Sequence, residues 1–179
     1  FPGTILPITW DTNRVGTVDI DLYADGVFAT AAVTGTRNDG VTFWAAPDDL
    51  SARRDYTIRI TNAADPVDYD TSDAPFTIAP VPVAGFTVTP TTGTAPLTVA
   101  FEDDSTSLID GYRWNFGDGM TSTLENPMHV YADPGAVTVT LTVTGPTGTD
   151  TVTRTNVITV GTPPLTAEFT AIPRRGTPP

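Results

Sequence analysis

Residues 137–144 alternate without a break: Val137, Val139, Leu141 and Val143 are interleaved with Thr138, Thr140, Thr142 and Thr144. Successive side chains of a strand point to opposite faces, so the run puts its apolar set on one face and its threonines on the other. Upstream stand Trp114-Asn115-Phe116-Gly117-Asp118-Gly119 and Asn126-Pro127-Met128-His129-Val130-Tyr131-Ala132-Asp133-Pro134-Gly135. Trp114 and Phe116 are two apart, so both can point into one core. Asp118-Gly119 is a tight-turn dipeptide, because Asp tolerates and Gly prefers positive φ. These specific residues serve shape, and none is an evident catalytic group.

On these residues the segment 82–160 resembles the polycystic kidney disease (PKD) domain, a small extracellular β-sandwich of the immunoglobulin-like type. The marks of that family are a Trp-x-Phe-Gly-Asp-Gly core, an Asn-Pro-x-His-x-Tyr stretch, a Pro-Gly turn and a closing Thr/Val strand pair, and all are present. The resemblance implies a spacer, adhesion or accessory module that carries no catalytic residues. It also implies structural roles for Trp114, Phe116, Gly117, Asp118, Gly119, His129 and Tyr131, with His129 bonding locally near the sandwich edge.

Composition agrees with an all-β chain. Threonine, which favours strands, accounts for 35 of the 179 residues, and no long window has helical periodicity. That length suits one large or two small domains. All nine basic residues are Arg, 18 of the 21 acidic residues are Asp, and the net charge is −12. Such a charge argues against nucleic acid or an anionic membrane as partner, and favours solubility, cation binding or a saline setting. No stretch approaches the ~20 apolar residues that span a bilayer, so no membrane insertion is expected in this segment. There is no Cys, which leaves the redox compartment open. The chain starts at Phe1 rather than Met, as a piece of something longer does.

Ala79-Pro80-Val81-Pro82 divides the chain, because alternating prolines stiffen a linker and block strand pairing through it. Before it, Val18, Ile20 and Leu22 alternate with Asp19, Asp21 and Tyr23. Tyr56, Ile58 and Ile60 alternate with Thr57, Arg59 and Thr61. Turn signals at Asp25-Gly26, Asn38-Asp39-Gly40 and Pro47-Asp48-Asp49 separate short strands, at the spacing of a sandwich. The order Ile8-Thr9-Trp10, Val18-Asp19-Ile20-Asp21-Leu22, Asn38-Asp39-Gly40, Trp44, Pro47, Asp55-Tyr56-Thr57-Ile58-Arg59-Ile60 and Phe76-Thr77-Ile78 is similar to the Ser/Thr-rich wall-protein N-terminal module. This second resemblance covers residues 4–79 and implies another β-sandwich. The first strand usual in that module is missing: either the sequence begins inside the domain, or another chain supplies the strand.

The C-terminus repeats an earlier segment. Residues 166–179 align without gaps on 83–96, with Phe169 on Phe86, Pro173 on Pro90, Gly176 on Gly93 and Pro179 on Pro96. This looks like the opening strand of a second PKD-like unit. The expected organisation is a sandwich over 1–79, a PKD-like sandwich over 80–160, and a linker with a further strand over 161–179. The fold class is all-β: two tandem immunoglobulin-like sandwiches and the first strand of a further repeat.

Few chemistries remain open. With one His, no Cys and no Lys, Cys-His, Ser-Lys and Schiff-base catalysis are excluded. A Ser-His-Asp triad would have to use His129, and nothing suggests an oxyanion hole. Zinc has no ligand set. Calcium, which takes oxygen ligands, has weak candidates in Asp103 and Asp104, and Asp65, Asp68, Asp70 and Asp73 crowd what reads as one loop. No other cofactor is implied. Trp10, Trp44 and Trp114 are expected in cores, whereas Tyr23 and Tyr69 fall on polar phases or loops and are candidates for exposure to a glycan. No Asn-x-Ser/Thr sequon occurs; Thr147, Thr149 and Thr91-Thr92 are candidates for O-glycans.

The reading is a non-catalytic structural or adhesive module of a surface protein, fibre or surface layer, located outside the cell or at its surface. Its partners are other copies or other surface proteins, with polysaccharide as a further candidate. Leu165, Phe169 and Ile172 mark a strand that could join one subunit to the next. The alternative is a carbohydrate- or matrix-binding accessory region of a secreted hydrolase.

Overall fold

The structure is a computed structural model in which residues 5–12, 16–47 and 49–166 are described. Among the described residues every regular element is a strand. The first seven are β1 (Ile5–Thr9), β2 (Thr17–Ala24), β3 (Val27–Arg37), β4 (Val41–Ala45), β5 (Arg53–Asn62), β6 (Asp65–Thr71) and β7 (Phe76–Ile78). One sheet has the order β3-β2-β5-β6, with β7 also paired to β5, and β1 and β4 form a separate two-stranded sheet. The alternation on β2 decides which face is inside: Val18, Ile20 and Leu22 are buried, and Asp19, Asp21 and Tyr23 take the opposite face. Leu22 and Tyr56 of the larger sheet join Trp44 of the smaller one, with Ala46 and Ile78, in one apolar cluster.

Two expectations are corrected here. The segment with Asp65, Asp68 and Asp70 is the strand β6, not a loop. Asp is a poor strand former, but β6 lies at the sheet edge and pairs only with β5, so its carboxylates reach solvent without breaking a ladder. Trp10 is only half-buried. It lies just past the end of β1, where its Nε1–H donates to Asn38 Oδ1 at 2.7 Å instead of entering the core. Trp44 is buried.

The remaining strands are β8 (Phe86–Thr89), β9 (Thr92–Thr94), β10 (Leu97–Asp103), β11 (Gly111–Asn115), β12 (Thr121–Ser122), β13 (Met128–Tyr131), β14 (Gly135–Gly145) and β15 (Gly148–Gly161). They form a three-stranded sheet, β13-β10-β8, and a five-stranded sheet, β12-β11-β14-β15-β9. Phe86, Val99 and Phe101 of the first meet Trp114, Val139, Leu141, Val143 and Ile158 of the second in a single buried cluster. Trp114 lies at its centre, edge-on to Phe86 at 5.3 Å and to Phe101 at 5.4 Å, and its Nε1–H donates to the Leu124 carbonyl at 2.9 Å. Val137 is only partly buried, because the register of β14 against β15 shifts between Val137 and Val139. On the outer face the threonines pair across the hairpin, Thr140 with Thr153 and Thr142 with Thr151, each at 2.9 Å.

The proline segment between the two sets of sheets is held in place. Ser107 Oγ–H and Thr147 Oγ1–H both donate to the Pro80 carbonyl at 2.8 Å, and the Ala84 N–H donates to Asp150 at 2.8 Å. Arg54 reaches Asp110 at 2.6 Å, an exposed ion pair of small energetic value. After β15, residues 162–166 form no strand and Leu165 is fully exposed. The expected tail strand around Phe169 and Ile172 lies outside the described residues.

Candidate functional site

The loop from Phe116 to Met120 is the most specific local structure in the chain. Gly117 and Gly119 have φ of 84° and 92°, which L side chains rarely adopt, and the Phe116 N–H donates to the Met120 carbonyl at 3.1 Å. Asp118 Oδ1 accepts from the Met120 N–H at 3.0 Å, and Asp118 Oδ2 lies 2.6 Å from His129 Nε2. The His129 ring stacks on Phe116 at 4.2 Å and meets the Tyr131 ring edge-on at 4.7 Å. Tyr131 is buried, and its hydroxyl donates to the Phe116 carbonyl at 3.0 Å. Burial, with the Asp118 charge nearby, pushes the Tyr131 phenol well above its ordinary value. The signature residues therefore bond and pack on one another, and the Asp-His pair closes a loop.

Asp103 ends β10, and its Oδ1 accepts from the Ser105 N–H at 3.2 Å and from the Ser105 hydroxyl. Among the described residues no group of three or more His, Asp or Glu could hold a metal ion, so Asp103 and Asp104 have no further carboxylate or imidazole to complete a shell. Two of the O-glycan candidates have local bonds: Thr147 to Pro80, as above, and Thr149 to Thr144 at 3.4 Å.

The two-stranded sheet covers only part of the larger sheet beside it. A groove of about 700 Å³ remains, with Ile8, Ile58, Ile60 and Phe76 among its apolar lining and Asn62, Asp68 and Asp70 among its polar lining. Among the described residues β1 pairs only with β4, and its Ile8 and Thr9 lie on the lining of this groove.

On its outer face the larger sheet carries a row that reading along the sequence did not assemble. Phe28 on β3 is paired opposite Tyr23 on β2, ring edge to ring face at 6.0 Å. The Arg59 guanidinium on β5 lies 4.3 Å from the Tyr23 ring centroid and 4.4 Å from that of Tyr69 on β6. Arg59 Nη1–H donates to the Tyr23 hydroxyl at 3.0 Å. Tyr69 is 54% exposed and Phe28 is 55% exposed, whereas Tyr23 is half-buried under its neighbours. The two tyrosines were visible in the sequence as candidates for exposure; Arg59 was legible only as part of the polar face of its strand, and Phe28 has no local signal. Asp21, opposite Arg59 in the β2–β5 register, has its pKa raised by burial and by Asp19, with Arg59 opposing.

Comparison with known proteins matches the PKD domain family model to residues 77–160. A 74-residue stretch is 45% identical to collagenase ColA of Bacillus cereus, covering 39% of this chain and 8% of that protein. The chain thus spans less than a tenth of this curated relative's length. Among solved structures, the PKD1 domain of the Vibrio cholerae metalloprotease PrtV is 37% identical, with 46% of this chain and 100% of that one covered and a TM-score of 0.40. The N-terminal four Ig domains of Dscam1 isoform 1.9 superpose with a TM-score of 0.53 at 13% identity, over 89% of this chain and 42% of that one, a likeness of fold alone. No helix among the described residues is long and apolar enough to cross a membrane. The fold is all-β and immunoglobulin-like, and residues 77–160 belong to the PKD domain family.

Proposed function

We propose that this chain is a non-catalytic structural or adhesive module of an extracellular surface protein, fibre or surface layer. The observation that carries the reading is the engagement of the signature: Trp114, Phe116, Asp118, His129 and Tyr131 are all committed to one another or to backbone groups. A His bound to Asp118 and stacked on Phe116 is not poised as a general base, because among the described residues no Ser or Thr hydroxyl is bonded to it. In this reading residues 1–79 are a sandwich of the wall-protein type, 80–160 the PKD domain, and 161–179 a linker with the start of a further unit. Panels of glycoside, ester and peptide substrates should give no turnover above background. Turnover that disappears in a folded His129→Ala variant overturns the reading.

Head-to-tail association is its finer form. The β1 edge that has no partner among the described residues, beside a groove of mixed apolar and polar lining, suits an added strand, and the tail with Leu165, Phe169 and Ile172 is the strand this chain could donate. A heterologous contact of that kind, where it does not close into a ring, builds filaments. Deleting 165–179 should leave monomers where the intact chain assembles. Equal assembly by the deleted chain, or a monomeric intact chain at high concentration, counts against it.

The second reading is an accessory region of a secreted hydrolase that binds carbohydrate or matrix. Likeness to parts of a collagenase and of a metalloprotease supports it. Both readings are extracellular. The gene that encodes the chain separates them: further β units favour the first, an adjoining catalytic domain the second.

A further inference from the structure

The outer row of the N-terminal sheet brings two exposed rings and a guanidinium together on one face. Phe28, Tyr23, Arg59 and Tyr69 stand on four successive strands, β3-β2-β5-β6, so the row crosses three inter-strand spacings, about 14 Å. Arg59 is fixed between two rings rather than by a carboxylate. It makes no salt bridge among the described residues, its Nε is buried without a partner, and its one side-chain hydrogen bond goes to Tyr23. Two exposed rings, a guanidinium with unused donors and the Asp21 carboxyl opposite it therefore share one face.

We propose that this row is a binding strip for a neutral polysaccharide. The ligand class rests on the second reading above, and the inference adds the surface that serves it. Sugar rings present apolar C–H faces, which suit exposed aromatic rings, and hydroxyl edges, which pair with Arg and Asp side chains. Charge selects among polymers. Arg59 is flanked on β2 by Asp19 and Asp21, and the chain carries a net −12, so an anionic polymer is repelled while an uncharged, hydroxyl-rich one is not. Tyr69 and Phe28 supply the stacking surfaces at the ends of the row, and Tyr23 and Arg59 keep the centre rigid, so little ordering is needed on binding.

The test is native electrophoresis of the whole chain through gels containing a neutral glucan, mannan or xylan, with alginate and dextran sulfate as anionic probes. Tyr69→Ala and Phe28→Ala are the variants, and Phe43→Ala, on β4 of the separate two-stranded sheet and 67% exposed, is the control. All three positions are more than half exposed, and unchanged melting temperatures certify the fold. The expected result is retardation by at least one neutral polymer, weakened roughly tenfold in each ring variant and unchanged in the control. Retardation equal in parent and ring variants overturns this strip and leaves the carbohydrate reading standing. Retardation by no neutral polymer, or by the anionic polymers alone, overturns both.

Discussion

His129 Nε2 lies 2.6 Å from Asp118 Oδ2, and this contact joins the Gly117–Gly119 loop to β13. Burial raises the pKa of Asp118, but the His129 bond, the Met120 N–H and the His129 charge together hold it below the ordinary 3.8. Asp150 is also held low, by the Ala84 and Thr151 N–H groups. A carboxylate with a depressed folded pKa stabilises the fold above its unfolded value, and that stability is lost as pH falls through the folded one. The urea midpoint should therefore drop as pH falls below the ordinary carboxylate value of 3.8. The Asp118→Asn variant should show a smaller drop; an acid profile identical to the parent's would contradict the assignment.

Trp114 has no exposed surface and touches aromatic rings from the facing sheet. Trp114→Ala should cost roughly 3–5 kcal/mol in chemical denaturation, comparable to the whole stability of a small domain. Trp114→Phe, which keeps most of the volume, should cost less. Similar losses for both would mean that the cavity is not the cause.

Gly117 and Gly119 separate two effects. Both have positive φ, but a Cβ on Gly117 would run into the Thr138 carbonyl and the Val137 side chain, while one on Gly119 meets nothing within 4 Å. Gly119→Ala should cost about 1 kcal/mol from backbone strain alone, and Gly117→Ala clearly more. Equal losses in thermal melts would show that the Thr138 contact yields freely.

The Pro80 carbonyl accepts two hydroxyls, from Ser107 and Thr147. Each bond is worth about 1 kcal/mol. The double variant Ser107→Ala, Thr147→Ala should be cut faster by protease around residues 79–82, as followed by mass spectrometry. Unchanged cleavage would place the restraint elsewhere, for instance at the Ala84–Asp150 bond.

What could be read from the sequence was local. The period of two on β14 fixes which residues enter the core, and the Trp114–Phe116 spacing puts both rings there. The row of Phe28, Tyr23, Arg59 and Tyr69 could not be read, because it depends on the registers of three strand pairs. Bulges interrupt two of these, β2 with β3 and β5 with β6. β6 was missed because its Asp residues contradict strand propensity, which an edge position overrides. Trp10 was placed wrongly because a Trp beside an apolar run reads as core, while a single Asn38 acceptor is enough to hold it at the rim.

The short strand β9 runs parallel to the end of β15, pairing Thr92, Gly93 and Thr94 with Thr159, Val160 and Gly161. Backbone bonds at both ends reinforce the match, Thr159 N–H to the Thr91 carbonyl at 2.8 Å and Ala95 N–H to the Gly161 carbonyl at 2.9 Å. The chain approaches β9 from its N-terminal side and departs from the C-terminal end of β15. Tension that passes β8 therefore drags these two strands lengthwise in opposite directions. All the rungs between them are then strained together in shear instead of opening one by one as in a zipper. A module wired in this way yields to force only when its whole last ladder fails at once.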